Sequence, residues 1–283
     1  MWPVGGWRRS ARSEVRPGRS EAVAAAEGGL HDGGTKERAG TMKLSGNKLL
    51  ITGGASGIGL GLAERFAQAG NTVIACGRRE DVLRAAAERV PGLVTRVADV
   101  ATDEGRETLY RWVAAEHPDT NVLVNNAGIQ NWMKVTDADF MQRAREELAV
   151  NVEAPLHLTH LFLEQRALTT IVNVTSGLAF VPMGKVPVYC ATKAFFHSFT
   201  VSLRELVRER NVEVVELIPP AINTDLGGKG LHDFAPPVKD FVDAVFAQLA
   251  EGKTSVTFGY TEAMSRAGHE VLEPVFKRMN QLA

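Results

Sequence analysis

LLITGGASGIG, residues 49–59, is the stretch whose reading decides the fold. Its first four residues form a short apolar run closed by glycine, the pattern of a buried strand. An Ala/Leu-rich helical pattern follows near 57–69. Gly53, Gly57 and Gly59 allow a tight turn between the two and let a ligand approach the backbone closely. Ser56 and Ile58 share that turn. The helix opening there presents unpaired N–H groups and a positive dipole end, which suit an anion such as a pyrophosphate. A glycine-rich turn alone is weak evidence. Its place between a strand and a helix is the confirming context.

Working outward, apolar runs continue to alternate with helical patterns. TVIAC (72–76) precedes a charged helix near 79–89, and LVTRVA (93–98) one near 103–116. NVLVN (121–125) precedes a long helical region near 137–166, and TIVNVT (170–175) a helix at roughly 187–210. VEVVELI (212–218) precedes a loop and a helix near 237–250, and TSVTF (254–258) is a last short strand. The alternation predicts an α/β fold: a doubly wound, Rossmann-like parallel sheet of about seven strands, with helices on both faces. Ligands then bind at the carboxyl ends of the strands.

Residues 42–283 read as a single domain with a C-terminal substrate-side segment. Residues 1–41 differ, with seven Lys/Arg, five Asp/Glu and no apolar period. Such a segment cannot bury enough surface to fold alone, and its acidic residues argue against a transit peptide. Translation starting at Met42 is the simpler expectation. A net charge of −1 gives no sign of a nucleic-acid partner. No apolar run approaches the roughly 18–20 residues that span a bilayer. Cys76 and Cys190 sit in apolar segments, so no disulfide or metal framework is implied, which fits a cytoplasmic protein.

Three side chains carry the chemistry. Tyr189 and Lys193, in VYCATKAFF, lie four apart and share a helix face. Ser176 follows the strand at 170–175. A hydroxyl at a strand end and a Tyr/Lys pair on the next helix can meet at one carbonyl, which suits proton transfer at an alcohol oxygen. Taken alone, the Tyr/Lys spacing is commonplace.

The second strand ends at Cys76-Gly-Arg-Arg79. A free ribose 2′-hydroxyl calls for an acid there. Gly77 takes that place, followed by Arg78 and Arg79, whose guanidinium groups suit a 2′-phosphate. NADP is therefore favoured over NAD. The other reading is a solvated helix start, with Glu80 and Asp81 pairing the arginines. Asp99, beside Val100 after the third strand, and Asn125-Asn-Ala-Gly128 after the fourth can line an adenosine channel. They can equally serve as turn residues.

Together these pieces resemble the short-chain dehydrogenase/reductase superfamily, in its single-domain branch. TGGASGIG matches its cofactor turn and NNAG its fourth-strand motif. Asn151, Ser176, Tyr189 and Lys193 match its catalytic tetrad. IPPAINT (218–224) resembles its sixth-strand region, with Pro220 where glycine is usual, a double proline similar to the DltE-like oxidoreductases. The resemblance covers about residues 43–260. It implies Tyr189 as acid/base, Lys193 lowering the tyrosine and binding ribose, Ser176 holding the substrate oxygen, and Asn151 holding a relay water. It implies Asn126, Ala127, Gly128, Pro219, Ile222 and Thr224 around the cofactor.

Expected pocket walls are Gln130, Asn131, Trp132 and Met133, then Leu178, Phe180, Val181, Pro182 and Met183, and Leu226. They are mostly apolar, which points to an apolar ketone, aldehyde or secondary alcohol. DLGGKGLHDFAP (225–236), with three glycines, is a candidate lid. Lys185 reads as a solvated loop residue. His157 and His160 read as packing or interface residues, and no histidine has metal-ligand spacing. The helices near 145–166 and 187–210 are apolar nearly all round, which points to a homodimer or homotetramer built on them. Two other functions fit the same fold: a dinucleotide-binding sensor without turnover, and an epimerase or dehydratase.

Overall fold

The computed structural model describes residues 42–281, so the expectation for residues 1–41 lies outside the described residues. The strands are β1 (Lys48–Thr52), β2 (Thr72–Gly77), β3 (Val94–Val97), β4 (Val122–Asn125), β5 (Thr170–Val174), β6 (Glu213–Ile218) and β7 (Ser255–Thr257). They form one seven-stranded sheet in the order β3-β2-β1-β4-β5-β6-β7. Every pairing is parallel, with Leu50 opposite Ile74 on one side and Leu123 on the other.

Successive side chains of a strand point to opposite faces. Leu49 and Ile51 therefore join one core with Phe66, Phe241 and Phe246, while Leu50 joins the other with Leu109, Leu123 and Phe162. Helix α1 (Gly57–Gln68) covers the first face; α2 (Glu80–Arg89) and α3 (Asp103–Glu116) follow it in the chain. On the second face α3 packs on the later helix α5 (Ala154–Phe162).

The region expected as one long helix is two. Helix α4 (Phe140–Leu148) runs into a single π-helical turn at Ala149–Glu153, and α5 starts beyond it with Pro155 in its first turn. Proline there lacks the N–H that a continuous helix needs. Asn151 sits in the widened turn, a feature often found at functional sites. Helix α6 (Pro187–Leu206) ends sooner than expected, in a 3-10 turn closed by Asn211 at φ 54. Helix α7 (Val238–Ala250) packs on α1, where a Cβ on Gly61 would stand 2.5 Å from Val238 Cγ1. After β7 come two unforeseen helices, α8 (Thr261–Arg266) and α9 (His269–Gln281).

The apolar residues of α4 to α6 divide between two fates. Val150, Leu158, Phe162, Phe196, Leu203 and Val207 are buried within the chain. Leu148, Phe195, Val201 and Leu206 are exposed. These helices thus carry one buried apolar stripe and a second set of large apolar residues facing outward.

The strand order reverses between β1 and β4, which opens a crevice at their carboxyl ends. Thr52 ties the two strands there. Its Oγ1 donates to Val124 O at 3.3 Å and accepts from Asn126 N and Ala127 N, each at 3.0 Å. The Asn126 side-chain amide donates back to Thr52 O at 2.9 Å.

Candidate active site

The turn after β1 is an anion cradle. Gly53 and Gly57 take φ of 63° and 53°, a region that favours glycine. Gly59 lies beneath the turn, where a Cβ would come 2.3 Å from Gly53 O. Ser56 begins α1 but its side chain caps no N–H. The first-turn N–H groups therefore stay available to an anion. Thr224 faces the turn from across the cleft, its Cγ2 3.3 Å from where a Gly57 Cβ would be.

A cleft of about 1630 Å³ runs from this cradle over the carboxyl edge of the sheet. Gly53, Ser56, Gly57, Ile58, Arg78 and Arg79 line it. Asn126, Ala127, Gly128, Pro219, Ile222 and Thr224 line it too, as do Ser176, Tyr189 and Lys193. A side lobe of about 210 Å³ adds Asp99 and Val100. Asp99 also does turn work, since its Oδ1 accepts from Ala101 N at 3.0 Å. Among the described residues neither Arg78 nor Arg79 has an ion pair, so the pairing with Glu80 and Asp81 does not form. A Cβ on Gly77 would meet only Leu83 Cδ2, at 4.0 Å, so packing does not require glycine there.

Ser176, Tyr189 and Lys193 are all buried at the end of β5 and the start of α6. Burial pushes the Tyr189 phenol well above its ordinary range, and the hydrogen bond from Ser176 pulls against this. Burial lowers Lys193 to about 8, and its Nζ donates to Val174 O at 2.9 Å. Burial of the phenol, not the Lys193 ammonium, sets this direction. Asn151 spends its side chain inside the chain: Oδ1 accepts from Ile129 N at 2.9 Å, and Nδ2 donates to Ile129 O and Thr192 Oγ1. The amide therefore braces the segment after NNAG against α6.

A family model described as short chain dehydrogenase matches residues 47–233. The chain belongs to that family. It is 42% identical over 250 residues to the uncharacterized oxidoreductase DltE of Bacillus subtilis (strain 168), a match covering 84% of this chain and 98% of that protein. It is 31% identical over 223 residues to the L-xylulose reductase of Caenorhabditis elegans, covering 75% of this chain and 87% of that one. Among solved structures, a short chain dehydrogenase from Burkholderia cenocepacia J2315 in complex with NADP superposes with a TM-score of 0.72 at 26% identity, over 83% of this chain and 99% of that chain. This short chain dehydrogenase is therefore an oxidoreductase-family protein of the DltE-like kind.

The cleft walls differ in part from the expected set. Gln130, Asn131, Trp132, Leu178, Met183 and Leu226 line the cleft. Met133 and Val181 instead turn into the core. Phe180 packs edge-on against His197, and Pro182 is exposed, its carbonyl accepting from Asn280. Leu231, His232 and Phe234 of the glycine-rich loop also line the cleft, as do Tyr260, Met264 and Met279. The last three lie beyond the motifs and carry no local signal. Lys185 is exposed, its ammonium 5.5 Å from the Trp132 ring centre, as a solvated loop residue would be. His157 packs inside the chain, its Nδ1 accepting from Arg106 Nε at 3.0 Å. No group of residues able to hold a metal occurs among the described residues.

Glu147 is a fully buried carboxyl that sequence reading missed. Its Oε1 accepts from Asn131 N at 2.5 Å, while Oε2 has no partner among the described residues. Burial raises it to about 7, against the Asn131 hydrogen bonding. A carboxyl raised on folding costs nothing below its unfolded value. Its cost grows as pH climbs from about 4.5 to about 7, where the unfolded chain ionises and the folded one does not. Glu147→Gln keeps the Asn131 bond and removes the charge. Chemical denaturation across pH 5 to 8 is expected to show the variant gaining on the native chain as pH rises, by up to roughly 3 kcal/mol. A stability difference that does not change with pH contradicts this.

Proposed function

We propose that this short chain dehydrogenase uses NADP(H) to reduce a largely apolar ketone or aldehyde, or to oxidise the matching secondary alcohol. The observation that carries the reading is one cleft lined both by Ser176, Tyr189 and Lys193 and by two arginines that have no ion pair among the described residues. When bound, the cofactor supplies or accepts the hydride.

The chain's own residues do the rest. The turn at Gly53, Ser56, Gly57 and Ile58 holds the pyrophosphate, with Gly59 beneath it. Arg78 and Arg79 clamp the 2′-phosphate, and the absent side chain at Gly77 leaves no carboxylate to repel it. Asp99, Val100, Asn126, Ala127 and Gly128 flank the adenosine and its ribose. Pro219, Ile222 and Thr224 fix the nicotinamide end, and Lys193 and Tyr189 hold its ribose hydroxyls.

Ser176 holds the substrate oxygen as charge develops on it. Tyr189 gives the proton in reduction and takes it in oxidation. Burial keeps the phenol protonated at neutral pH, which is the form that reduction needs. Asn151 is a positioning residue that sets the distance between Ile129 and α6. A second copy of the chain covers the exposed apolar residues of α4 and α6, Leu148, Phe195, Val201 and Leu206.

Tyr189→Phe is expected to cut kcat by at least about 100-fold while NADPH affinity, read by fluorescence titration, barely moves. A variant that keeps most of its activity removes Tyr189 from the role. Replacing Arg78 and Arg79 together with alanine is expected to raise the KM for NADPH at least tenfold more than that for NADH, about 1.4 kcal/mol of selective binding. Equal effects on both cofactors end the 2′-phosphate assignment. Sedimentation of the full chain is expected to give a dimer or tetramer that Leu206→Glu weakens, and a monomer at all concentrations contradicts the interface.

A further inference from the structure

Residues 129–132 wall the cleft that Ser176 and Tyr189 also line, yet they belong to no strand or helix. A backbone without a ladder of its own must find its hydrogen-bond partners elsewhere. Three side chains supply them. Asn151 takes both groups of Ile129, accepting from its N–H at 2.9 Å and donating to its carbonyl at 2.9 Å. Glu147 Oε1 accepts from Asn131 N at 2.5 Å. Arg143 donates to Trp132 O at 2.7 Å. The three are spaced four apart in the chain, which puts them on one helix face. Successive turns, from α4 into the π turn, thus hold successive points of the wall.

Arg143 and Asn151 have other partners as well. Arg143 pairs with Asp137 and Asp139, and Asn151 bonds Thr192. Glu147 does not. Its side chain is fully buried, and Oε2 has no partner among the described residues. A buried carboxyl is costly, and what it adds here over an apolar residue is an acceptor for Asn131 N. The ionisable groups that act on it or feel it are Arg143 on its own helix and Tyr189 and Cys190 on α6. Among the described residues none of these three hydrogen-bonds to it.

We propose that Glu147 is a positioning residue for the substrate wall: by holding Asn131 N it fixes where Gln130 and Trp132 meet the substrate. Its effect on the substrate rests on the reductase reading above, whereas the brace itself does not. The cofactor turn and Arg78 and Arg79 lie on other segments, so cofactor and substrate respond differently when the acceptor is removed. Both protonation states of the carboxyl accept from an N–H, the ionised one more strongly. The bond therefore persists through neutral pH and tightens as the carboxyl ionises.

The test compares Glu147→Gln, which keeps the acceptor, with Glu147→Leu, which removes it at similar size. In reduction of acetophenone and cyclohexanone by the full chain, Glu147→Leu should raise the ketone KM at least about tenfold, as for loss of one hydrogen bond, with NADPH affinity within about twofold of native. Glu147→Gln should bring KM back to within about threefold. An equal KM in all three proteins overturns the proposal. So does a loss of NADPH affinity in step with KM, which marks a general structural defect. A second readout needs no turnover. In amide NMR spectra of the full chain, the Asn131 signal should shift with pH around a midpoint of about 7, and in Glu147→Gln that shift should vanish. An Asn131 amide that ignores pH in the native chain, or titrates alike in Glu147→Gln, overturns the brace even where Glu147→Leu does not fold. If the native chain reduces neither ketone, the result counts against the reductase reading, and the Asn131 titration still judges Glu147.

Discussion

Everything at the cleft depends on how β1 and β4 are joined. They are sequence-distant neighbours at the point where strand order reverses, so their carboxyl ends must be held together while the crossovers leave in opposite directions. Thr52 does this with one hydroxyl, bonded to Val124 O, Asn126 N and Ala127 N. The Asn126 amide closes the loop onto Thr52 O and Gly53 O. The glycine turn and the NNAG segment are thereby one rigid unit. Gly59 must lack a side chain because Gly53 O and the Asn126 amide occupy its place.

The region around Tyr189 is set by burial. Tyr189, Lys193 and Glu147 are each taken out of water, and each is pushed toward its neutral form. Three such groups within one region are costly unless the site uses them. Lys193 recovers part of the cost at Val174 O, and Glu147 part at Asn131 N. A network behind the serine stiffens it. The buried Glu216 accepts from Thr175 Oγ1 at 2.8 Å and is bonded to His197, whose ring also meets Phe180. Ser176 is thus braced through the residue before it and through the loop after it.

The strands were legible because a two-faced parallel strand reads as an unbroken apolar run, as in LLIT and TIVNV. The helix at 103–116 was legible from the alternation of strands and helices, and in the structure Thr102 caps it and acids open it. Ser176, Tyr189 and Lys193 were legible from spacing, since strand and helix geometry places them together. What escaped notice lacks a local signature. The π turn at Asn151 depends on Pro155 and on packing against α6, not on pattern alone. Glu147 looked like one more polar helix residue, and only the fold reveals that it points inward. Helices α8 and α9 close one side of the cleft through Met264 and Met279, and their position is decided by tertiary contacts such as Asn280 with Gly184. Met133 and Val181 misled for the same reason, because a loop residue next to a wall can face either way.

The most direct measurement is isotopic. The full chain is supplied with NADPH carrying deuterium at nicotinamide C4, on each face in turn, and a panel of ketones. Expected is an alcohol labelled at the former carbonyl carbon from one of the two faces, one product formed per NADPH consumed. Product without label, NADPH bound but never consumed, or a rearranged substrate with no net change in cofactor would contradict hydride transfer at this cleft.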